Sequence, residues 1–336
     1  VGMKTLTFSN IKKAVKLTMN AGHVPCIVGL QGIGKTDLVH ELADEEDCVM
    51  TTITCSLLQE GDLAMPYLNG NNNTDGYVGN VSYAINQVIT DLCQRAVGKK
   101  WGILFLDEFN RASEQAQSEL MNLVLQRKIL SYELPSNIRI VLAMNPNSLM
   151  EGYENTSYSV INSDSAIFGR ILILNMAASL SEWLKYGKRT GTNGLSLVHK
   201  TISSFLSTYT TEFITPDVEG AINNTPRGWK RVSDVLYEYE KEYPGTPDKS
   251  ILKALLCGTL KESTADEFLN FYIKNYKTVD YFELASQILY SSSVNDWDPS
   301  IERLTDAELD KLFKCMLDVL ESDKSPEMLN NFVTYM

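Results

Sequence analysis

The sequence predicts a mostly parallel α/β sheet of five strands followed by an all-helical region. Short apolar runs recur at Val24–Val28, Val49–Thr54, Ile103–Leu106, Ile138–Ala143 and Ile171–Leu174, each of strand length. Helical patterns separate them at Thr36–Ala43, Val81–Val97 and Ala112–Gln126, the alternation of a sheet covered on both faces. From Leu180 onward only helical periodicity remains.

Taken in order, Ser9 is placed to cap a first helix over Asn10–Asn20. Asn69-Gly70-Asn71-Asn72-Asn73-Thr74-Asp75-Gly76 breaks the alternation between Tyr67-Leu68 and Tyr77-Val78, and reads as a hairpin or loop. The α/β part is expected to end near Ala178. Beyond it, Leu197, Ile202, Phe205, Leu206 and Tyr209 form one stripe, and Val232, Val235, Leu236 and Tyr239 another. Capping signals follow at Thr264 with Glu267, Asp280 with Glu283, Thr305 with Glu308, and Ser325 before Pro326.

The 336 residues, 44 % hydrophobic and 21 % charged, have the composition of an ordinary globular chain with room for two domains. Thirty basic against 42 acidic residues leave a net charge of -12, which opposes general attraction to nucleic acid or anionic membranes. Six cysteines without close paired spacing and three histidines suggest neither a zinc site nor a disulfide framework. No apolar run is long enough to span a bilayer and no signal pattern precedes Met3, so a soluble, cytoplasmic protein with reduced thiols is expected.

The chemistry concentrates in three segments. Gly29-Leu30-Gln31-Gly32-Ile33-Gly34-Lys35-Thr36 has glycine at the first and sixth places followed by Lys-Thr, and it stands between an apolar strand and a helix opening with Asp37. That is the spacing of a P-loop, whose backbone N–H groups and helix N-terminus cradle phosphates. Lys35 then reaches the outer phosphates and Thr36 is left to ligate magnesium. Next, the apolar run Ile103–Leu106 ends in Asp107-Glu108, two carboxylates at a strand end where ligands sit in such sheets. Beside a P-loop, Asp107 can hold the magnesium and Glu108 can polarise the water that attacks the terminal phosphate. Finally, Ile138–Ala143 runs into Met144-Asn145-Pro146, which brings the neutral Asn145 amide to the same edge, able to hold that water.

With these residues the chain resembles AAA+ ATPases of the MoxR-like, dynein-related branch, including phage and bacterial members. Gly29–Thr36 is similar to the Walker A loop of that family, Leu104-Phe105-Leu106-Asp107-Glu108-Phe109-Asn110-Arg111-Ala112 to its Walker B run, and Ala143-Met144-Asn145-Pro146 to its sensor 1 strand. Thr225-Pro226-Arg227-Gly228-Trp229 resembles its sensor 2 motif, Phe168-Gly169-Arg170 stands where such proteins carry an arginine finger, and Leu180-Ser181-Glu182-Trp183-Leu184 resembles the opening of its lid. The resemblance covers Phe8 to about Tyr243.

It implies an AAA+ α/β nucleotide-binding domain over residues 1–178, a helical lid over 179–249 and a helical C-terminal extension over 250–336. It further implies a ring, usually a hexamer of this chain, with ATP and magnesium at subunit boundaries. Arg170 would act on a neighbour's nucleotide, with Arg111 and Arg127 as rival fingers, while Arg227 would sense phosphate from its own lid. Leu57–Val81 corresponds to the insert in the second helix of the family, and Lys128–Asn137 to the hairpin before sensor 1, two elements that usually meet clients. The expected function is ATP hydrolysis coupled to remodelling of a partner protein, by resemblance one of von Willebrand factor A type. A nucleic-acid-dependent motor or restriction-type NTPase is one rival. A slow-turnover, nucleotide-gated scaffold is the other.

Overall fold

The computed structural model describes residues 5–71, 78–146, 169–192, 194–216, 221–243, 247–275, 281–291, 306–322 and 325–335. The chain divides into two compact units, one comprising Val1–Lys185 with Pro216–Ala221 and Thr225–Arg227, the other Tyr186–Thr215, Ile222–Asn224 and Gly228–Met336.

The first unit is built on β1 (Val24–Val28), β2 (Val49–Thr54), β5 (Gly102–Asp107), β8 (Ile138–Met144) and β9 (Ile171–Asn175), which form one sheet in the order β2-β5-β8-β1-β9. Every pairing in it is parallel. The five apolar runs are therefore the five strands, and β5 shows why they read as continuous: Gly102 through Leu106 are buried, since helices cover both faces. One core layer joins Cys26, Val28, Leu104, Leu106, Ile140 and Leu142 of the sheet to Leu92, Leu120 and Leu123 of helices α3 (Gln87–Arg95) and α4 (Glu114–Gln126). Cys26 and Cys55 are buried, and burial pushes both thiols up to about 12.

Three local expectations are corrected. Helix α1 (Phe8–Asn20) begins before Ser9, and the Thr7 hydroxyl that flanks it donates to Glu182 Oε1 at 2.9 Å instead of capping the helix. The stretch expected as one helix over Val81–Val97 is split. Its first residues belong to β4 (Val78–Ile85), antiparallel to β3 (Ala64–Asn71), and the helix α3 starts only after Asn86, whose side chain accepts from Val88 N at 2.9 Å. Val81, Tyr83 and Ile85 alternate as a strand does, while the Asn86 cap supplies the helix start. The hairpin reading of this region holds from Ala64↔Ile85 to Asn71↔Val78, and the turn at 72–77 lies outside the described residues. Helix α4 begins at Glu114 rather than Ala112, because Phe109–Arg111 forms a 3₁₀ turn and Ser113 is the cap, accepting from Ala116 N at 3.3 Å. A short hairpin of β6 (Lys128–Ile129) and β7 (Tyr132–Glu133) precedes β8. After β9 comes α5 (Leu180–Gly187).

The second unit is helical. Phe205 of α6 (Lys200–Thr208), Trp229 of α7 (Pro226–Glu242) and Phe268 of α9 (Glu262–Asn275) pack as an aromatic triangle with ring centroids 5.1–5.7 Å apart. Between α7 and α9 lies α8 (Lys249–Cys257). The Asn224 side chain, fully buried, donates to the Glu212 carbonyl oxygen at 3.0 Å and to Thr264 Oγ1 at 2.8 Å, and accepts from Lys261 N at 2.9 Å. Thr264, expected as a helix cap, lies inside α9 and serves this polar cluster instead. A separate core joins α10 (Tyr281–Tyr290), α11 (Asp306–Ser322) and α12 (Pro326–Tyr335) through Ile288, Leu312, Met316 and Met328. Ser325 caps α12 as expected, accepting from Met328 N at 3.3 Å. The caps expected at Asp280 and Thr305 lie outside the described residues. Among the described residues no helix is long and apolar enough to cross a membrane.

Candidate nucleotide site

The carboxyl ends of the parallel strands deliver the site. β1 ends at Val28 and the chain turns through Gly29–Gly34 into α2 (Lys35–Glu45). Gly34 flanks that helix at φ +95°, a left-handed conformation that side chains resist, and it leaves the first amides of α2 without side-chain caps. Gly32, at φ +76°, lies so close to Thr225 that an added Cβ would stand 3.1 Å from its hydroxyl oxygen. The Arg227 amide, which belongs to the same unit, donates to the Gly32 carbonyl oxygen at 3.2 Å.

Lys35 is buried, 8 % exposed, with all three ammonium donors engaged: Gly29 O at 2.6 Å, Leu30 O at 3.0 Å and Asn145 Oδ1 at 2.9 Å. Burial pushes its pKa down to about 8, with the Arg227 charge adding to the shift and Asp107 and Glu108 opposing it. Thr36 Oγ1 donates to Asp107 Oδ2 at 2.9 Å, and Asp107 Oδ1 accepts from Glu108 N at 2.9 Å. A hydroxyl and a carboxylate oxygen adjacent at a phosphate loop form the hard-oxygen donor pair that magnesium takes together with phosphate and water. These residues fit that ion.

Glu108 stands just past the end of β5 at φ +52°. Its Oε2 accepts from Ser56 Oγ at 2.6 Å and its Oε1 from Arg111 Nη1 at 3.2 Å. Asn145, 3 % exposed, accepts from Lys35 through its Oδ1, while its Nδ2 is buried without a partner among the described residues. An unpartnered buried donor beside a saturated lysine marks where an acceptor from outside the chain would be received.

The structure thus brings together Lys35, Thr36, Asp107, Glu108 and Asn145, and sets Thr225 and Arg227 of the same unit beside Gly32. Arg170 is elsewhere. It is exposed in the turn before β9, whose first residue Ile171 is level with Val24 at the start of β1. The P-loop leaves the other end of β1, so roughly 13 Å of strand separates the two positions. Of the rival arginines, Arg111 pairs with Glu108 of its own chain, and Arg127 donates to Pro135 O at 2.8 Å and Ile138 O at 2.9 Å. Sequence reasoning gave no role to Ser56 and Asn110. Ser56 follows β2, and its approach to Glu108 depends on β2 pairing with β5 up to Thr54↔Asp107, a neighbour relation no local pattern announces. Asn110 had a signal, a polar residue that the Phe109–Arg111 turn buries to 2 % exposure.

The family comparison covers the segment that carries these residues. Residues 25–160 match the model of the AAA domain, dynein-related subfamily. These residues form an AAA domain. Among solved structures, a RuvB variant from Thermotoga maritima is similar at 15 % identity, over 96 % of this chain and 87 % of that one, with a TM-score of 0.42. The Thermotoga maritima RuvB Holliday junction branch migration motor is similar at 16 % identity, over 96 % and 87 % of the two chains, with a TM-score of 0.34. No curated protein matches the chain. The matched segment of the AAA domain includes the P-loop, the Asp107-Glu108 pair and Asn145, and it ends before Arg170.

Proposed function

We propose that this AAA domain hydrolyses ATP within a ring of identical chains, of MoxR-like kind, and couples turnover to remodelling of a partner protein. The observation that carries the reading is the meeting of Lys35, Asn145, Thr36 and Asp107 within hydrogen-bond distance at the carboxyl edge of the sheet. Lys35 would exchange its carbonyl partners for phosphate oxygens while the loop amides hold the rest of the triphosphate. Thr36 and Asp107 would hold magnesium, which when bound supplies positive charge to the β- and γ-phosphates. Glu108 would take the proton of the attacking water, Asn145 Nδ2 would orient that water, and Arg227 would respond to the phosphates through its tie to Gly32. Arg170, remote from its own P-loop, would complete the site of a neighbouring copy.

Movement of the lid would pass to a client, for which a von Willebrand factor A type protein is the candidate, in a cytoplasmic assembly of six chains. The exposed apolar side chains of the β3–β4 hairpin, among them Met65, Tyr67 and Leu68, support a client surface there. Phosphate release from magnesium-ATP is the test. The wild-type chain should turn over, and Glu108→Gln should bind ATP with unchanged affinity yet lose at least ~100-fold in rate, the worth of a positioned general base. Equal turnover by the two would remove Glu108 from its role. Acceleration by DNA that fades as salt rises would favour a nucleic-acid motor instead.

A further inference from the structure

Asn145 is held by more than the sheet. Its side-chain donor is unspent, so where that donor points depends on what fixes the residue, and β8 has already ended at Met144. The last pairs along β8 are Leu106↔Leu142 on one side and Val28↔Met144 on the other. Past them, the main-chain groups of Asn145 meet a side chain in place of a strand. Asn110 Nδ2 donates to Asn145 O at 2.8 Å, and Asn110 Oδ1 accepts from Asn145 N at 3.3 Å. A primary amide presents the same donor and acceptor as a peptide unit, so Asn110 extends the ladder by one residue. Pro146 adds a restriction of its own, since the residue before proline is confined to extended backbone.

We propose that Asn110 is the positioning residue that aims the Asn145 amide at the attacking water, an assignment that rests on the ATPase reading above. Asn110 belongs to the 3₁₀ turn that follows Glu108, so a single turn of chain carries the carboxylate and fixes the amide opposite. With its main chain clamped by Asn110 and its Oδ1 bound to Lys35, Asn145 has only the N–H donors of its Nδ2 left to offer, and their direction is fixed. Without Asn110, two buried main-chain groups lose their partner and the amide can turn away. Misplacement by about 1 Å at such a point costs on the order of 100-fold in rate. Phosphate binding through the loop amides and Lys35 does not depend on the clamp.

The test compares the full-length wild type with Asn110→Ala and Asn110→Asp by steady-state phosphate release, by calorimetric titration with ATPγS and magnesium, and by thermal unfolding. The expected result for Asn110→Ala is kcat lowered at least ~10-fold, with ATPγS affinity within about threefold of wild type. Asn110→Asp keeps the acceptor for Asn145 N but, when ionised, has no donor for Asn145 O. Protonation restores an O–H donor, so its kcat relative to wild type should recover as pH falls, with an inflection the wild type lacks. That profile decides the matter if Asn110→Ala does not fold. A kcat within twofold of wild type for Asn110→Ala overturns the assignment, as does parallel loss of kcat and affinity with a flat Asn110→Asp ratio. Absence of turnover in the wild type overturns the ATPase reading and this assignment together. Turnover in the wild type that the substitutions do not change overturns this assignment alone.

Discussion

Ser56 donates its hydroxyl proton to the Glu108 carboxylate at 2.6 Å while Arg111 reaches the other oxygen at 3.2 Å. Both oxygens of the proposed general base are therefore engaged within its own chain, and the carboxylate must give up a partner before it can turn to a water. Removing one tether should release it. Ser56→Ala is expected to raise basal ATP turnover two- to fivefold, the effect of a hydrogen bond worth about 1 kcal/mol, with ATP affinity unchanged. Phosphate release at saturating ATP checks this, and a rate equal to or below wild type would show that Ser56 does not restrain Glu108.

Lys35 gives the nucleotide site a pH dependence of definite sign. In the free chain burial holds its pKa down to about 8, and phosphates would raise it, so binding takes up a proton. Affinity for magnesium-ATP should accordingly fall as pH rises through 8, by about tenfold between pH 7 and pH 9. Calorimetry in two buffers of different ionisation heat measures the proton directly. Equal heats and constant affinity would show that Lys35 is already fully charged in the free chain. Lys35→Ala should lose nucleotide binding outright.

Arg170 is exposed at the end of the sheet opposite the P-loop. If it serves a neighbouring subunit, Arg170→Ala and Glu108→Gln chains should each be inactive, and mixing them should recover part of the wild-type rate at sites that receive one intact arginine and one intact glutamate. An arginine supplied across an interface is worth ~10³ to 10⁵ in rate, so modest recovery is measurable. Failure to recover at every mixing ratio would exclude action in trans.

In the helical unit the Asn224 cluster should govern stability. Asn224→Ala leaves the Glu212 carbonyl oxygen, Thr264 and the Lys261 amide short of a buried partner. The expected cost is ~2–4 kcal/mol, read as a lower urea midpoint. By contrast, Asp234→Ala, which removes the exposed pair with Lys230, should change stability by less than about 0.5 kcal/mol. A smaller loss at Asn224 than at Asp234 would mean the cluster contributes nothing net.

The parts of this molecule that were legible in sequence are those encoded by local pattern. Continuous apolar runs are strands because helices cover both sheet faces, and the glycine spacing of the P-loop reports a backbone that only glycine adopts freely at Gly34. What escaped depends on neighbours distant in sequence. Ser56 is informative only once β2 is known to lie beside β5, and Thr264 looked like a cap until its hydroxyl was found on Asn224. The expectation of one helix over Val81–Val97 fails for another reason: Val, Tyr and Ile satisfy both a strand and a helix face, and the Asn86 cap that settles it is a single residue.

Glu108 is a non-glycine residue at φ +52°, where an L side chain is about 1 kcal/mol less comfortable than glycine. Glycine there would relieve the backbone, but it would forfeit the hydrogen bonds from Ser56 and Arg111, about 1 kcal/mol each, and loosen the unfolded chain. The carboxylate thus holds its own awkward backbone in place through those two neighbours, and a screen of random libraries for stability alone would not favour glycine at that codon.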